Sequence, residues 1–277
     1  MNQCKNCKSE LIENGVHSEA PDYKKWECPI CDHKRVLIAA PIGGQKQYSI
    51  NLWFDWIAKQ SYPKELIKPC ICVNGEGFRE LGEKVRQVEI SYPDGFKHVV
   101  EVLELPDSNN LTTIQKITYA RETIRRFAVK EGYDYILFLD TDTIPANKDA
   151  IQQLIKWDKE AISGLYFYKN SKQPVVIDAE THTNISLEKC ETAVKENKII
   201  EVWGFGFGCL LLSRRAFEKN AFDYDLFGEE RTDDFGYCHV LEQNGVLRYL
   251  DPFILCKHFD DPDKIKSAGT QIPFYIS

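Results

Sequence analysis

The sequence contains neither a long hydrophobic run nor an apolar segment near its start. No apolar run approaches the roughly 18 residues that a membrane span needs. Residues 1–10 are polar and lack the apolar core of a signal peptide. These absences predict a cytoplasmic protein without a transmembrane segment.

An excess of positive charge is also missing. The chain carries 35 Lys and Arg against 42 Asp and Glu, a net charge of -7. This balance argues against a nucleic-acid footprint along the whole chain, although a local basic patch remains compatible with it. The hydrophobic content of 43% is enough for a sizeable core. A length of 277 residues predicts one large domain, or one large and one small domain.

Four of the ten cysteines form two paired motifs near the start of the chain. Cys4-x-x-Cys7 and Cys28-x-x-Cys31 flank a polar loop, residues 8–27. This spacing is typical of a zinc ribbon, in which four thiolates bind one tetrahedral Zn²⁺. We therefore predict a small zinc-stabilised unit over residues 1–34; a redox dithiol and a chance pairing are the alternatives.

The charge of this first unit bears on its partners. Six basic and six acidic residues lie between positions 5 and 35. Zinc ribbons often bind protein or nucleic acid, and the lack of net positive charge weakens the nucleic-acid option. A contact through the ribbon with a protein or nucleic-acid partner is the resulting expectation.

From residue 35 onward, apolar strand-like segments alternate with helical ones. Apolar runs at 36–40 and 70–73 predict buried strands, which end at Pro41 and Asn74. A long helix is predicted from Thr112 or Thr113 to about residue 130, with Arg121, Arg125 and Arg126 assigned to its polar side. Such alternation predicts an α/β fold with a mostly parallel sheet flanked by helices.

A central strand is predicted at residues 135–139, directly before two aspartates. The segment Tyr-Ile-Leu-Phe-Leu has no polar alternation, as expected for a strand buried on both faces. Asp140 and Asp142 then lie at the carboxyl end of the strand, the edge at which open α/β sheets bind ligands. Two carboxylates there can hold Mg²⁺ or Mn²⁺. Two further Asp-x-Asp triplets occur in the chain, and a solvated turn is the alternative interpretation.

Three features of the second half complete the candidate site. In residues 203–208, glycines alternate with aromatic residues, which suits either a sugar-binding surface or a bulged core strand. Asp233 and Asp234 open a predicted helix, where one of them could be an N-cap. Strands predicted at 247–250 and 253–256 are followed by His258. The polar segment 169–198 and the tail 259–277 carry no readable motif.

In combination, residues 36–258 resemble the GT-A glycosyltransferases, most closely the family 2 type. Each motif is weak alone, but their order and spacing are similar to that family. The matching segments are residues 36–41, Ala120-Arg121-Glu122, Asp140-Thr141-Asp142, residues 208–217, Thr232-Asp233-Asp234-Phe235 and Cys256-Lys257-His258.

The resemblance implies a nucleotide-sugar donor and a divalent metal. It implies that Asp140 and Asp142 hold Mn²⁺ or Mg²⁺ on the donor diphosphate, with His258 completing the metal shell. Imidazole among carboxylates favours Mn²⁺ somewhat. The positions implied to contact the nucleotide are Pro41, Asn74, Arg121 and Asp140.

The resemblance also implies a catalytic base. Asp234 matches the aspartate of a Glu-Asp pair, and Asp233 stands where relatives carry glutamate. This departure leaves open how the two carboxylates divide the work. Asn74 stands where relatives often carry aspartate, so the preferred nucleobase is open too.

The expected chemistry is transfer of a sugar to an acceptor hydroxyl of an unknown glycan, lipid or protein. A metal would neutralise the leaving diphosphate, and a carboxylate would take the hydroxyl proton. Direct displacement with inversion is expected, although some relatives retain configuration. Two alternatives stay open: a sugar-phosphate nucleotidyltransferase, and a non-catalytic zinc-ribbon protein that binds a glycan or nucleotide.

Overall fold

The structure, a computed structural model, describes residues 12–17, 20–27, 34–75, 77–92, 94–105, 110–169, 171–227 and 232–259. By its internal contacts the chain divides into two compact units, Met1–Arg35 and Val36–Ser277.

The first unit contains an antiparallel hairpin of β1 (Ile12–His17) and β2 (Ala20–Glu27). These strands occupy most of the segment for which the sequence suggested only a polar loop. The candidate zinc ligands lie outside the described residues, so the zinc ribbon stays a prediction; they are Cys4, Cys7, Cys28 and Cys31.

The second unit alternates strands and helices. The strands are β3 (Val36–Gly43), β4 (Ile67–Asn74), β5 (Glu89–Ser91), β6 (Lys97–Val99), β7 (Glu101–Glu104), β8 (Tyr135–Leu139), β9 (Thr143–Pro145), β10 (Ala161–Leu165), β11 (Val176–Asp178), β12 (Ile200–Phe205), β13 (Cys209–Ser213) and β14 (Arg248–His258). The helices are α1 (Ile50–Ala58), α2 (Phe78–Arg86), α3 (Thr113–Glu131), α4 (Ala150–Lys156), α5 (Leu187–Lys195), α6 (Arg214–Lys219), α7 (Tyr224–Phe227) and α8 (Asp233–Gln243), with 3-10 helices at Gly44–Ser49 and Lys64–Leu66. Within the described part of the chain, no helix has the length and apolarity to cross a bilayer.

Ten strands form one mixed, mostly parallel sheet in the order β11-β12-β14-β10-β13-β8-β3-β4-β7, with β9 paired to β14. Strands β3, β4, β7 and β8 run parallel, and so do β10 and β14. The antiparallel strand β13 lies between β8 and β10. Strands β3, β4, β8, β10 and β14 therefore end at the same edge, which we call the carboxyl edge. The predicted α/β fold is confirmed.

The central strand β8 is buried at all five positions, as its composition predicts. Alternate side chains enter two cores: Leu137 joins one face with Ile38, and Phe138 joins the other with Leu37. Helix α3 covers the second face. Thr112 caps it through a reciprocal capping box with Gln115.

Two sequence-based assignments are corrected. Arg121 is 3% exposed and lies inside the protein, whereas it was assigned to the polar side of α3. Strand β14 runs unbroken through the position predicted to separate two strands. It bulges there: Gly164 pairs with Asp251 while Leu165 pairs with Leu255. The bulge accommodates a proline that cannot donate to the ladder.

Helices α5 and α7 were also missed. They lie in polar segments and bury few side chains: Cys190 and Ala193 in α5, and Phe227 in α7. So few apolar positions give no readable helical period.

Candidate active site

The Asp140 turn begins where β8 leaves the sheet. The Asp140 amide donates to the Gly208 carbonyl (3.1 Å), and the Thr143 amide donates to the Asp140 carbonyl (2.9 Å). These bonds satisfy the backbone groups that the end of the strand would otherwise leave exposed. The turn is thereby fixed at the carboxyl edge.

Helix α1 and the residue before it support the same turn from the side of β3. The indole Nε1 of Trp53 donates to the Leu139 carbonyl (2.9 Å). The buried hydroxyls of Ser49 and Thr141 form a hydrogen bond of 2.9 Å. These bonds fix the segment that carries both aspartates.

Asp142 and His258 are brought together by the pairing of β9 with β14. Thr143 pairs with His258 in register, and the Phe259 amide donates to the Asp142 carbonyl (2.7 Å). The distance from His258 Nε2 to Asp142 Oδ2 is 3.8 Å, and the Asp142 side chain is fully buried. A ladder between distant segments thus places an imidazole against a carboxylate.

A second contact orients the His258 ring. Its Nδ1 lies 3.1 Å from the carbonyl oxygen of Phe167. Because a carbonyl can only accept, this hydrogen bond assigns a proton to Nδ1. In the neutral ring, the Nε2 lone pair then faces Asp142. Metal-binding histidines commonly use this arrangement, with the far nitrogen donating to a carbonyl.

Arg121 bridges the Asp140 turn and the start of α8. Its Nη2 lies 3.3 Å from Asp140 Oδ1, and its Nε lies 2.9 Å from Asp233 Oδ2. The guanidinium carbon lies 5.2 Å and 5.0 Å from the ring centroids of Phe138 and Phe207. Burial disfavours the cation, but the nearby carboxylates outweigh that effect and raise the Arg121 pKa. This ion-pair network couples α3, β8 and α8.

Asp233 and Asp234 occupy different environments. Neither is the N-cap of α8, because Thr232 takes that position. Asp233 forms an ion pair with Arg121, whereas Asp234 is half-buried next to Asp233. Burial, followed by the negative charge of Asp233, raises the pKa of Asp234 to about 7, although Arg121 opposes the shift. Asp234 therefore has the properties of a proton acceptor near neutral pH.

The glycine-aromatic segment is mainly part of the core. Phe205 and Phe207 are 0% and 1% exposed, which supports a bulged core strand for this part. A Cβ on Gly206 would overlap the Tyr166 hydroxyl, and one on Gly208 would lie 2.9 Å from Tyr166 Cζ. The Gly208 amide donates to that hydroxyl (3.1 Å). The glycines thus accommodate Tyr166, whose ring meets His258 edge-on at 5.9 Å.

Trp203, in contrast, is half-exposed. Its ring stacks on Phe235 with centroids 6.5 Å apart and an interplanar angle of 23°. Residues 204–208 are buried, so within this segment only Trp203 has exposed surface that a sugar could contact.

The two positions implied for the nucleoside lie side by side. Pro41 is in β3 and Asn74 ends β4, where it pairs with Gly43. Both strands are on the β3 side of β8, away from His258. Asn74 is 6% exposed. Their role in nucleotide binding stays a prediction.

The three predicted metal ligands are only partly assembled. Among the described residues, no group of three or more His, Cys, Asp or Glu forms a complete metal site. Asp142 and His258 converge, whereas Oδ1 of Asp140 is paired with Arg121. Mg²⁺ at phosphate sites is typically held by one or two carboxylates plus substrate phosphates. Two ligands at about 2.1 Å from one ion lie ~3–4 Å apart. The Asp142–His258 pair fits such a cation.

Several supporting residues were not identified from the sequence. They share a position under or beside the Asp140 turn, and their partners are far away in the chain. The only local signal is the row of glycines, which indicates a close neighbour without identifying it as Tyr166. These residues are Ser49, Trp53, Thr141 and Tyr166.

No protein-family model and no curated protein sequence matches the chain. Many solved structures are similar in fold, including the following two. GalNAc-T7 with UDP, GalNAc and Mn²⁺ has 12% identity and a TM-score of 0.56, covering 90% of this chain and 47% of that one. The mannosyltransferase PcManGT from Pyrobaculum calidifontis, in complex with GDP-Man and Mn²⁺, has 15% identity and a TM-score of 0.50, covering 81% and 56%. The chain therefore has a GT-A fold, and it spans about half the length of these two proteins.

The raised pKa of Asp234 predicts a pH-dependent stability. Between about pH 4, the unfolded value, and about pH 7, the folded protein keeps a proton that the unfolded chain has lost. Stability from this group therefore falls as pH rises through that window. We expect Asp234→Asn to raise the melting temperature at pH 8 by ~2–6 °C, with a gain that shrinks as pH is lowered toward 5. Thermal unfolding in EDTA without nucleotide measures this.

The exposed Asp225 on α7 provides the control. Asp225→Asn should leave the pH dependence unchanged. If Asp234→Asn lowers the melting temperature at pH 8, the ionised carboxylate stabilises the fold, and the assigned environment is wrong.

The fit between Gly206 and Tyr166 predicts a coupled pair of substitutions. Gly206→Ala should cost ~1–3 kcal/mol because its methyl group overlaps the Tyr166 hydroxyl. Tyr166→Phe alone should cost ~1 kcal/mol through the lost bond from Gly208. In the double variant the missing hydroxyl removes the most severe overlap, while Val175 Cγ1 and Tyr166 Cζ, at 2.8 and 2.9 Å from the same Cβ position, must still shift. Its destabilisation should fall below the sum by ~1 kcal/mol in urea unfolding, and strict additivity would contradict the close fit.

Proposed function

We propose that this protein is a metal-dependent glycosyltransferase that moves a sugar from a nucleoside-diphosphate donor to an acceptor hydroxyl with inversion. The observation that carries the proposal is the approach of Asp142 and His258 at the carboxyl edge of a GT-A sheet. The two similar structures were solved with a nucleotide or nucleotide sugar and Mn²⁺, which supports a donor and metal of this kind here.

In this proposal the donor lies along the carboxyl edge. Pro41 and Asn74 contact the nucleoside, and the diphosphate extends toward β14. Asp142 and His258 would hold Mn²⁺ or Mg²⁺ beside the diphosphate, with Asp140 as a third candidate ligand. When bound, the cation neutralises the charge that develops on the leaving nucleoside diphosphate.

In this proposal Arg121 supports the site without contacting the substrate. With its side chain 4% exposed and two carboxylates as partners, it orients Asp140 and Asp233. This assignment makes it a positioning residue for the nucleotide site.

Asp234 is the proposed base. Its raised pKa, near neutral, gives it a useful affinity for the proton of an acceptor hydroxyl. As the proton moves to the Asp234 carboxylate, the acceptor oxygen bonds to the anomeric carbon, and the bond from that carbon to the diphosphate oxygen breaks. Asp233 is paired with the buried Arg121, so its proposed role is to hold the start of α8 in place. The Asp-for-Glu departure thus leaves Asp234 as the carboxylate for catalysis.

Two variants test binding and catalysis separately. A thermal-shift screen of nucleoside diphosphates should show stabilisation of the wild type that requires Mn²⁺. Asp142→Asn should lose that shift, whereas Asp234→Asn should keep it and lose turnover by roughly 10²-fold or more. Turnover is measured as nucleoside diphosphate released from a panel of nucleotide sugars. Asp225→Asn is the matched control, and normal turnover in either site variant refutes the assignment.

The released product separates this function from its alternatives. Release of pyrophosphate in place of nucleoside diphosphate would indicate a nucleotidyltransferase. Nucleotide-sugar binding that ignores Mn²⁺, without turnover, would indicate a binding protein.

A further inference from the structure

A groove of about 600 Å³ lies beside His258. Its walls are the segment after β10, at residues 167–169, 171 and 172, and the end of β14 with Phe259. We call it the lysine groove, because Lys169, Lys172 and Lys257 line it.

Among the described residues that line the lysine groove, the charged side chains are all lysines. No carboxylate is among its described lining residues. All three lysines are exposed, and in the described part of the chain none pairs with a carboxylate. Elsewhere many lysines of this acidic protein do pair, as Lys59 does with Asp55. Three unneutralised cations in one concave surface raise the local concentration of anions.

The location of the groove separates it from the proposed nucleoside site. Along the carboxyl edge, β3 and β4 lie on one side of β8, and β10 and β14 lie on the other. Pro41 and Asn74 belong to the first side, and the lysine groove belongs to the second. His258 lines the groove, and its Nε2 lies 3.8 Å from Asp142 Oδ2. A molecule in the groove would therefore approach the metal site from the side opposite to the nucleoside.

The groove also has apolar walls. Tyr168 is 39% exposed and Leu255 is 48% exposed, and both line it. Such a surface can hold the carbon skeleton of a ligand while the lysines bind its charged group.

We propose that the lysine groove binds the acceptor through a phosphate group, so that the substrate receiving the sugar is a phosphate-bearing molecule. The inference that the bound molecule is the acceptor rests on the proposed function. The inference that it carries a phosphate rests on the groove alone. The phosphate can belong to a small soluble compound or to a lipid headgroup, since both present the same anionic oxygens.

Binding of two phosphate probes by the full-length protein tests the proposal. The probes are glycerol 3-phosphate, titrated in EDTA and followed by NMR, and vesicles of phosphatidylglycerol in phosphatidylcholine, followed by flotation. We expect the wild type to bind at least one probe, with an affinity that falls as salt is raised. The variant Lys169→Ser/Lys172→Ser/Lys257→Ser should bind it roughly tenfold more weakly or worse. The probe that binds identifies a soluble or a lipid-borne phosphate.

A charge-matched variant, Lys195→Ser/Lys198→Ser/Lys219→Ser, is the control, because these exposed lysines lie outside the groove. It should bind like the wild type. Equal weakening in both triple variants, or no binding of either probe by the wild type, overturns the proposal.

The Mn²⁺-dependent thermal shift with a nucleoside diphosphate separates acceptor from donor. It should be the same in the wild type and in the lysine-groove variant. Its loss in that variant would assign the groove to the donor and overturn the proposal. If phosphate binds in the groove while no nucleoside diphosphate binds the wild type, the glycosyltransferase function fails and the phosphate site stands.

Discussion

The buried guanidinium of Arg121 is the constraint on which the candidate site depends. A cation removed from water is costly unless charged partners compensate, and breaking such a pair by removing one partner typically destabilises a protein by ~3–5 kcal/mol. Here Asp140 and Asp233 compensate the charge of Arg121, and its guanidinium carbon lies over the rings of Phe138 and Phe207. Asp140 directly follows β8, and Asp233 is the first residue of α8. The Arg121 side chain therefore links the proposed donor region to the proposed base region.

The second constraint is the ladder between β9 and β14. It joins segments more than a hundred residues apart and places His258 against Asp142. The ring is then oriented by the Phe167 carbonyl and by Tyr166, which itself fits only because Gly206 and Gly208 have no side chains. Backbone pairing and close packing thus fix these groups in the absence of a ligand, which is the preorganisation that the proposed catalysis would require.

The pair Asp233-Asp234 shows how neighbouring carboxylates acquire different properties. Asp233 forms an ion pair with the buried Arg121, whereas Asp234 lies close to the negative charge of Asp233 with less compensation from Arg121. Burial and like charge then raise the pKa of Asp234 toward neutrality, at a cost to stability when it ionises. If Asp234 is the base we propose, its cost to the resting fold is an example of the trade-off between activity and stability.

The sequence by itself determined the α/β fold and the places where strands end. Strand β8 was readable because burial on both faces demands an unbroken apolar run, and helix α3 because its cap and its final glycine obey local rules. The position of Asp140 followed from the end of β8. The start of α8 was predicted at Asp233 and Asp234, which open that helix. Only the tertiary structure decided that Arg121 turns inward, that Tyr166 fills the space left by two glycines, and that β14 continues through Pro252. These outcomes depend on partners distant in the chain, and no local pattern encodes which charge or ring will be there.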